Sequence, residues 1–326
     1  MSECYVGIDL GGTNIKAGVV DAKAKVLSKV SIPTEGGKGR AQVLQNLCKA
    51  AELAIEKSKV ATDAIRALGI GSPGVLDLEK GVVVFAPNLP DWNDVPLVRT
   101  LEDRFKKPAA LENDANAAAW GEFWAGAGAG RNVNSMVMLT LGTGVGGGII
   151  IDGKLLHGHK AAAAELGHIS IDYRGRKCAC GSVGCIEAYA SADSVVRRFV
   201  EAVQAGQKTV LAEKVKQGKP VTTKMIYQAA LDGDEYCRRA IEEAGELLGV
   251  AIASIVHTLN PELVVISGGM SNAGDMLMKP LKQIVWARCW KRALEDFEIK
   301  FATLGEDAGF VGAAGCALNK FATSAS

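Results

Sequence analysis

Long apolar runs are missing from this sequence. The longest, around Leu247 to Val256, falls far short of the roughly 18 residues a membrane span needs, so no membrane partner is expected. A charge excess is missing as well: 37 Lys and Arg stand against 36 Asp and Glu, for a formal net charge of +1. Dedicated nucleic-acid binders usually carry a clear basic excess, so that class is demoted. The N-terminus, MSECYVGIDLGG, places an acid at Glu3 and no basic segment before an apolar run, which is not the pattern of a secretory signal. Cysteines are too few for a disulfide scaffold: there are eight in 326 residues, and three of them, Cys178, Cys180 and Cys185, crowd into eight positions. A cytoplasmic protein with one metal site explains that clustering better than bridges do. Disorder is excluded by the 48% of apolar and 22% of charged residues, and the length suits two domains better than one.

What is present reads as α/β. The segment CYVGIDLGGTNIKAGVVD sets β-branched runs around Gly11 and Gly12 and predicts a β-hairpin. A helix is expected from about Ala41 to Val60, a strand at IRALGIG, a turn at Ser72-Pro73-Gly74, an extended piece at GVVVFAP, a strand at Ala109–Leu111, and a helix opening at Asn113. The Gly- and Ala-rich piece from Gly126 to Asn132 reads as a linker. Beyond it DLGGTNIKAGVVD finds an ungapped counterpart in TLGTGVGGGIIID, 131 residues later. Chance similarity of two Gly-rich hairpins is one reading. Internal duplication is the other, and it predicts two similar domains that each offer a Gly-rich turn to one cleft. A long helix from about Glu235 to Leu259 stops at Asn260-Pro261 and feeds the strand ELVVISGG. A helix from about Met276 to Ala293, a strand near Ile299–Ala302 and a small-residue helix at Gly309–Leu318 follow.

Four glycine-bearing turns follow apolar strands: Gly11-Gly12, Ser72-Pro73-Gly74, Gly142 to Gly148, and Gly268-Gly269. Such turns let backbone N–H groups cradle phosphate oxygens, although none has Walker A or dinucleotide-fold spacing. Asp9, with Thr13 and Lys16 just beyond, is either a Mg²⁺-holding carboxylate or a turn cap. Asp114, in Glu112-Asn113-Asp114, is either a helix N-cap or a base that accepts a substrate hydroxyl proton, with Asn113 beside it offering donor and acceptor. His168, Cys178, Cys180 and Cys185 supply one imidazole and three thiolates, a full tetrahedral set for a structural zinc. Free cysteines in a compact loop are the alternative. Glu165 and Glu187 flank that loop, and carboxylates without a basic cluster suit the hydroxyls of a neutral sugar. His157, His159 and His257 give no comparable constellation.

The motifs GIDLGGTNIKAGVVD, SPGVLD, LENDANAAAWGE, LTLGTGVGGGIIIDGKLLHG, ELGHISID, CACGSVGCIEAYAS and PELVVISGG together resemble the ROK family of sugar kinases and sugar-responsive repressors, from about Val6 to Leu318. The resemblance implies a two-domain actin-like ATPase fold with ribonuclease H-like cores and an interdomain cleft. It implies an N-terminal α/β domain over 1–125 completed by a C-terminal helix at 309–326, and a larger domain over 126–308 carrying the zinc loop at 165–187. Asp114 then resembles the general base, and Asn88, Asn113, Asp114, Glu165, His168 and Glu187 the sugar contacts. Asp9, Gly11, Gly12, Thr13 and Lys16 resemble the first phosphate loop, Thr143 and Gly144 the second, with Gly268 and Gly269 beside the nucleotide. ATP, Mg²⁺ and a structural Zn²⁺ are the implied cofactors, and a homodimer, in some members a dimer of dimers, the implied assembly. The motif set looks most like that of the family's bacterial glucose kinases. N-acetylglucosamine, N-acetylmannosamine, another hexose, a polyphosphate donor, and a catalytically silent sugar-binding regulator are the alternatives. The family's repressors carry a winged helix-turn-helix ahead of Asp9, which here arrives almost at once, so a DNA-binding role is not expected.

Overall fold

The computed structural model describes residues 3–86 and 88–322. Alternation in β1 (Cys4–Leu10) decides what lies on each face of the first sheet, because successive side chains of a strand point to opposite sides. Cys4, Val6, Ile8 and Leu10 pack into a core with Val43, Leu47 and Ala51 of α1 (Arg40–Ser58). Tyr5 takes the other face, against Phe310, Val311, Ala314 and Ala317 of α10 (Ala308–Phe321), and Gly7 and Asp9 share its side. β2 (Asn14–Asp21) returns antiparallel with Leu10 opposite Ile15 and Asp9 opposite Lys16, so the hairpin expected at Gly11-Gly12 is present. β3 (Val26–Pro33) pairs antiparallel with β2, while β4 (Ile65–Ser72) and β8 (Ala109–Asn113) extend the other edge in parallel, giving the order β3-β2-β1-β4-β8.

Glycines let α10 lie flush on this sheet. A Cβ at Gly7 would strike the backbone of Phe310, one at Gly69 the backbone of Ala313, and one at Gly312 the Ala117 carbonyl of α3 (Asp114–Trp124). The composition of α10, Gly, Ala and Val through its centre, is what that close approach requires. Between β4 and β8 a small antiparallel sheet of β5 (Val75–Asp77), β6 (Val82–Phe85) and β7 (Asn93–Val95) and the helix α2 (Leu97–Phe105) complete this part. Glu122, fully buried near the end of α3, accepts hydrogen bonds from the backbone N–H groups of Ala127, Thr303 and Leu304 and from the Thr303 hydroxyl. The Gly-Ala segment that reads as a linker in sequence is thus tied at its start.

A second five-stranded sheet contains β9 (Met136–Leu141), β10 (Val145–Ile151), β11 (Lys154–Leu155), β12 (Leu263–Ser267) and β13 (Glu298–Phe301), in the order β11-β10-β9-β12-β13. Counted along the chain, that is the order of the first sheet repeated. The duplication read from the two Gly-rich hairpins extends to whole sheets. Its helices are α4 (Glu187–Ala190), α5 (Ala192–Gln204), α6 (Ala212–Lys216), α7 (Thr223–Leu231), α8 (Glu235–Leu259) and α9 (Asp275–Arg288). The chain divides into two compact units. One comprises the residues up to Met136, Gly148–Ala164 and the chain from Ala302 on; the other comprises Val137–Gly147 and Glu165–Phe301.

One expected element is shorter. The helix predicted to reach Ala293 stops at Arg288, because Cys289 turns extended (ψ 151°), and a separate 3₁₀ turn covers Lys291–Leu294. Trp286 and Trp290 therefore do not share a helix face. Trp286 packs against Phe297, while Trp290 lies 6.1 Å from the His257 ring and is 78% exposed.

Candidate active site

In the first unit the ends of β1 and β8 bring two carboxylates together. Asp9 is the penultimate residue of β1, on the face that meets α10, and Gly309 lets the start of that helix approach it; a Cβ there would collide with the Asp9 carboxylate. Burial first, and then the like charge of Asp114, push the Asp9 carboxyl up to about 6 against the opposing pull of Lys16. Asp114 begins α3, where its Oδ1 accepts the Ala115 N–H at 2.8 Å. Burial raises its pKa as well, against the lowering pull of that N–H and of Asn113. A carboxylate raised toward neutrality is a better proton acceptor than an ordinary aspartate.

Asp114 is not the helix cap. Asn113 is: its Oδ1 accepts from the N–H groups of Ala115 and Asn116 at 3.0 and 3.1 Å. The Asn113 oxygen is therefore spent on the helix, and its amide N–H groups are what it can offer a ligand. The hairpin turn is tight, with Gly11 N–H donating to Asn14 C=O at 3.1 Å and the Thr34 hydroxyl donating to Gly11 C=O at 2.6 Å; Gly12 and Thr13 are exposed. Lys16 reaches Glu306, 3.0 Å from its carboxylate. Asn88 is exposed, between the buried Ala86 and Leu89.

Two residues of this unit escaped the sequence reading. Glu112 is buried at the end of β8, and His157 Nε2 lies 2.7 Å from its Oε2. Forty-five positions separate them, and no spacing rule connects a strand-end glutamate to a loop histidine at that distance. The expectation that His157 has no constellation is corrected.

The second unit holds the other predicted residues. Thr143 and Gly144 form the turn between β9 and β10, closed by Gly142 N–H donating to Gly144 C=O at 3.0 Å. Glu187, first residue of α4, accepts the Val145 N–H at 3.0 Å, and a Cβ at Gly144 would meet its carboxylate. The Gly-rich turn and this predicted sugar contact are thus in direct touch. Gly268, at φ 89° and against the Leu141 backbone, links β12 to a 3₁₀ turn that starts at Gly269.

His168, Cys178, Cys180 and Cys185 converge, with ligand atoms all within 4.8 Å of one another. Turns at Gly181 (φ 91°) and Gly184 (φ 78°) and the N–H of Cys178 donating to Ser182 C=O fold the knuckle. Zinc–thiolate bonds of about 2.3 Å at tetrahedral angles would set neighbouring sulfurs roughly 3.8 Å apart. Cys180 and Cys185 Sγ stand 3.7 Å apart, and Cys178 Sγ stands 3.8 Å from His168 Nδ1. Burial pushes the Cys178 thiol up to about 12, so a thiolate there calls for a cation beside it. The residues fit zinc. His168 Nε2 faces away, 4.0 Å from Glu165.

Comparison with known proteins bears on all of this. The family model described as ROK matches residues 5–320. A glucokinase of Halalkalibacterium halodurans is 38% identical over 309 residues, 94% of this chain and 93% of that protein. A ROK hexokinase from Thermus thermophilus matches with a TM-score of 0.81 at 36% identity, over 97% of this chain and 98% of that one. A ROK family glucokinase from Streptomyces griseus, solved with glucose and AMPPNP, matches with a TM-score of 0.76 at 35% identity, over 97% and 99% of the two chains. The repeated sheets are those of the two-domain actin-like ATPase fold. With one family model spanning nearly every described residue and with sheets, glycine turns and cysteine knuckle all in place, the chain belongs to the ROK family.

Proposed function

We propose that this chain transfers the γ-phosphoryl group of ATP to the 6-hydroxyl of D-glucose. The observation that carries the reading is Asp114, held at the first turn of α3 with its carboxyl raised toward neutrality, next to Asp9. The similarity to glucokinases over more than nine-tenths of the chain supports glucose as the acceptor. Asp114 accepts the proton of the sugar hydroxyl as it attacks. The Asn113 amide, Asn88, Glu165, His168 and Glu187 bind the other hydroxyls. The backbone N–H groups at Gly11 to Thr13 and at Thr143 and Gly144 receive the phosphates, with Gly268 and Gly269 along the nucleotide. Mg²⁺, held by Asp9 directly or through water, would offset charge on the β- and γ-phosphates. Zinc on His168 Nδ1 and the three cysteines would stiffen the loop between Glu165 and Glu187 and leave His168 Nε2 for the sugar. Cysteines clustered for a metal suit a reducing cytoplasm, where we place the chain. A C₂ homodimer is the assembly we infer from the family.

A sensor that binds sugar without turnover would share the sugar contacts, and one experiment separates the two. ADP release should be sugar-dependent and fastest with glucose across glucose, N-acetylglucosamine, N-acetylmannosamine and fructose. Asp114→Asn should keep glucose binding and lose about 10²–10⁴-fold in kcat, the usual contribution of a general base. Near-normal turnover by D114N would end the assignment.

A further inference from the structure

The reading of Asp114 as base leaves unexplained how its turn is held, since the Ala115 N–H that its carboxylate accepts lies within that same turn. A chain of hydrogen bonds behind it supplies the answer. Glu112 Oε1 accepts the Asn113 backbone N–H at 2.9 Å and the Asn116 Nδ2–H at 3.1 Å. Its Oε2 is taken by His157 Nε2 at 2.7 Å. Glu112 is 5% exposed, and a carboxylate buried that far requires a donor on each oxygen. His157 lies just beyond β11, in the Gly148–Ala164 segment that joins the first unit, and is the donor that fills the second oxygen.

We propose that His157 and Glu112 are positioning residues for the Asn113-Asp114 turn. The imidazole fixes the rotamer of Glu112, and Glu112 fixes the N–H of Asn113 and the side chain of Asn116 on either side of Asp114. The carboxylate of Asp114 is thereby aimed without being touched by either residue. The inference rests on the phosphoryl-transfer reading of Asp114. His157 also borders an open cavity of about 480 Å³ with Glu79, Lys154, Lys320 and Cys316. The hydrogen bond to Glu112 raises its pKa above the ordinary value, with burial opposing. Neutral imidazole carrying its proton on Nε2 makes the same bond, so the clamp does not require the charge.

The test combines kinetics with amide exchange on the full-length protein. His157→Ala should lower kcat about tenfold or more, the scale of a misaimed reacting group, with the KM for ATP unchanged within twofold. His157→Gln, which keeps a donor N–H of similar reach, should recover most of that loss. The Asn113 amide should exchange at least tenfold faster in H157A and near the wild-type rate in H157Q. Wild-type kcat in H157A, a loss shared equally by the KM for ATP, or no recovery in a folded H157Q would overturn the proposal, as would an unchanged Asn113 amide. Should H157A fold poorly, His157→Phe gives the same readouts, because it keeps the bulk of the ring and offers no donor to Glu112 Oε2. The two readings fail differently. A fast Asn113 amide in H157A beside normal turnover by D114N sinks the general-base reading, whereas an unchanged amide beside inactive D114N sinks the clamp alone.

Discussion

Glu122 offers the sharpest test of how this fold is held. Its side chain is fully buried, and its two oxygens collect three backbone N–H groups and one hydroxyl. The distances run from 2.7 Å for Leu304 to 3.2 Å for the Thr303 hydroxyl. Glu122→Gln preserves the volume and replaces one acceptor oxygen by a donor NH₂. The Thr303 hydroxyl can rotate to accept, but a backbone N–H cannot. Placed toward Leu304, the amide oxygen leaves the Ala127 N–H facing a donor; placed toward Ala127, it leaves Leu304 in that position. At least one buried N–H is orphaned, at about 1–3 kcal/mol, and the remaining bonds lose their charge assistance, for a total of about 2–4 kcal/mol. For a chain of this length the unfolding entropy is roughly 0.7 kcal/mol per degree, so Tm should fall by roughly 3–6 °C in calorimetry. Glu122→Leu, which satisfies none of the donors, should fall further. The opposing physics is plain: removing a buried charge can stabilise a protein when desolvation outweighs its bonds. A Glu122→Gln variant melting within a degree of wild type, or above it, would refute the reasoning.

Asp9→Asn should abolish most turnover yet raise Tm at pH 7.5 without ligands. A carboxyl raised to about 6 favours the folded state most below its unfolded value near 3.8, and that advantage is lost as pH rises through 6, on the order of 1–3 kcal/mol. The gap between the two melting curves should close toward pH 4, and a constant gap would contradict it. Elemental analysis should find about one zinc per chain in wild type and none in Cys180→Ser, with weaker glucose binding by calorimetry; metal-free protein with full activity would exclude the role given to the loop. Gly312→Ala should destabilise by about 1–3 kcal/mol in urea unfolding, because its Cβ meets the Ala117 carbonyl; an unaffected midpoint would mean that α10 can slide.

Local chemistry was readable wherever neighbours in sequence are neighbours in space. The hairpin at Gly11-Gly12, the helix ending at Asn260, and the cysteines of the knuckle all lie within one or two turns of chain, and pattern and spacing identify them. Asn113 and Asp114 were also identified as a pair, but their division of labour was not. Which of two adjacent polar residues caps a helix depends on where the first helical φ and ψ fall, and the structure gave the cap to Asn113. The helix drawn through Trp290 erred for a related reason. Its apolar periodicity continues past Arg288, and only the extended Cys289 shows that the chain turns away.

By itself, then, the sequence determined the α/β class, the repeated Gly-rich hairpins, the His-Cys cluster and the family, because each is written in contiguous residues whose backbone and side-chain requirements are local. Tertiary structure decided what depends on meeting at a distance. It placed His157 on Glu112, Lys16 on Glu306 and Glu122 on Thr303 and Leu304, and it laid α10 against Gly7 and Gly69. The physical reason is the same in each case. A buried carboxylate must find donors, and a glycine face must find a backbone, but many segments of the chain could supply either, and only the packed sheets select which one arrives.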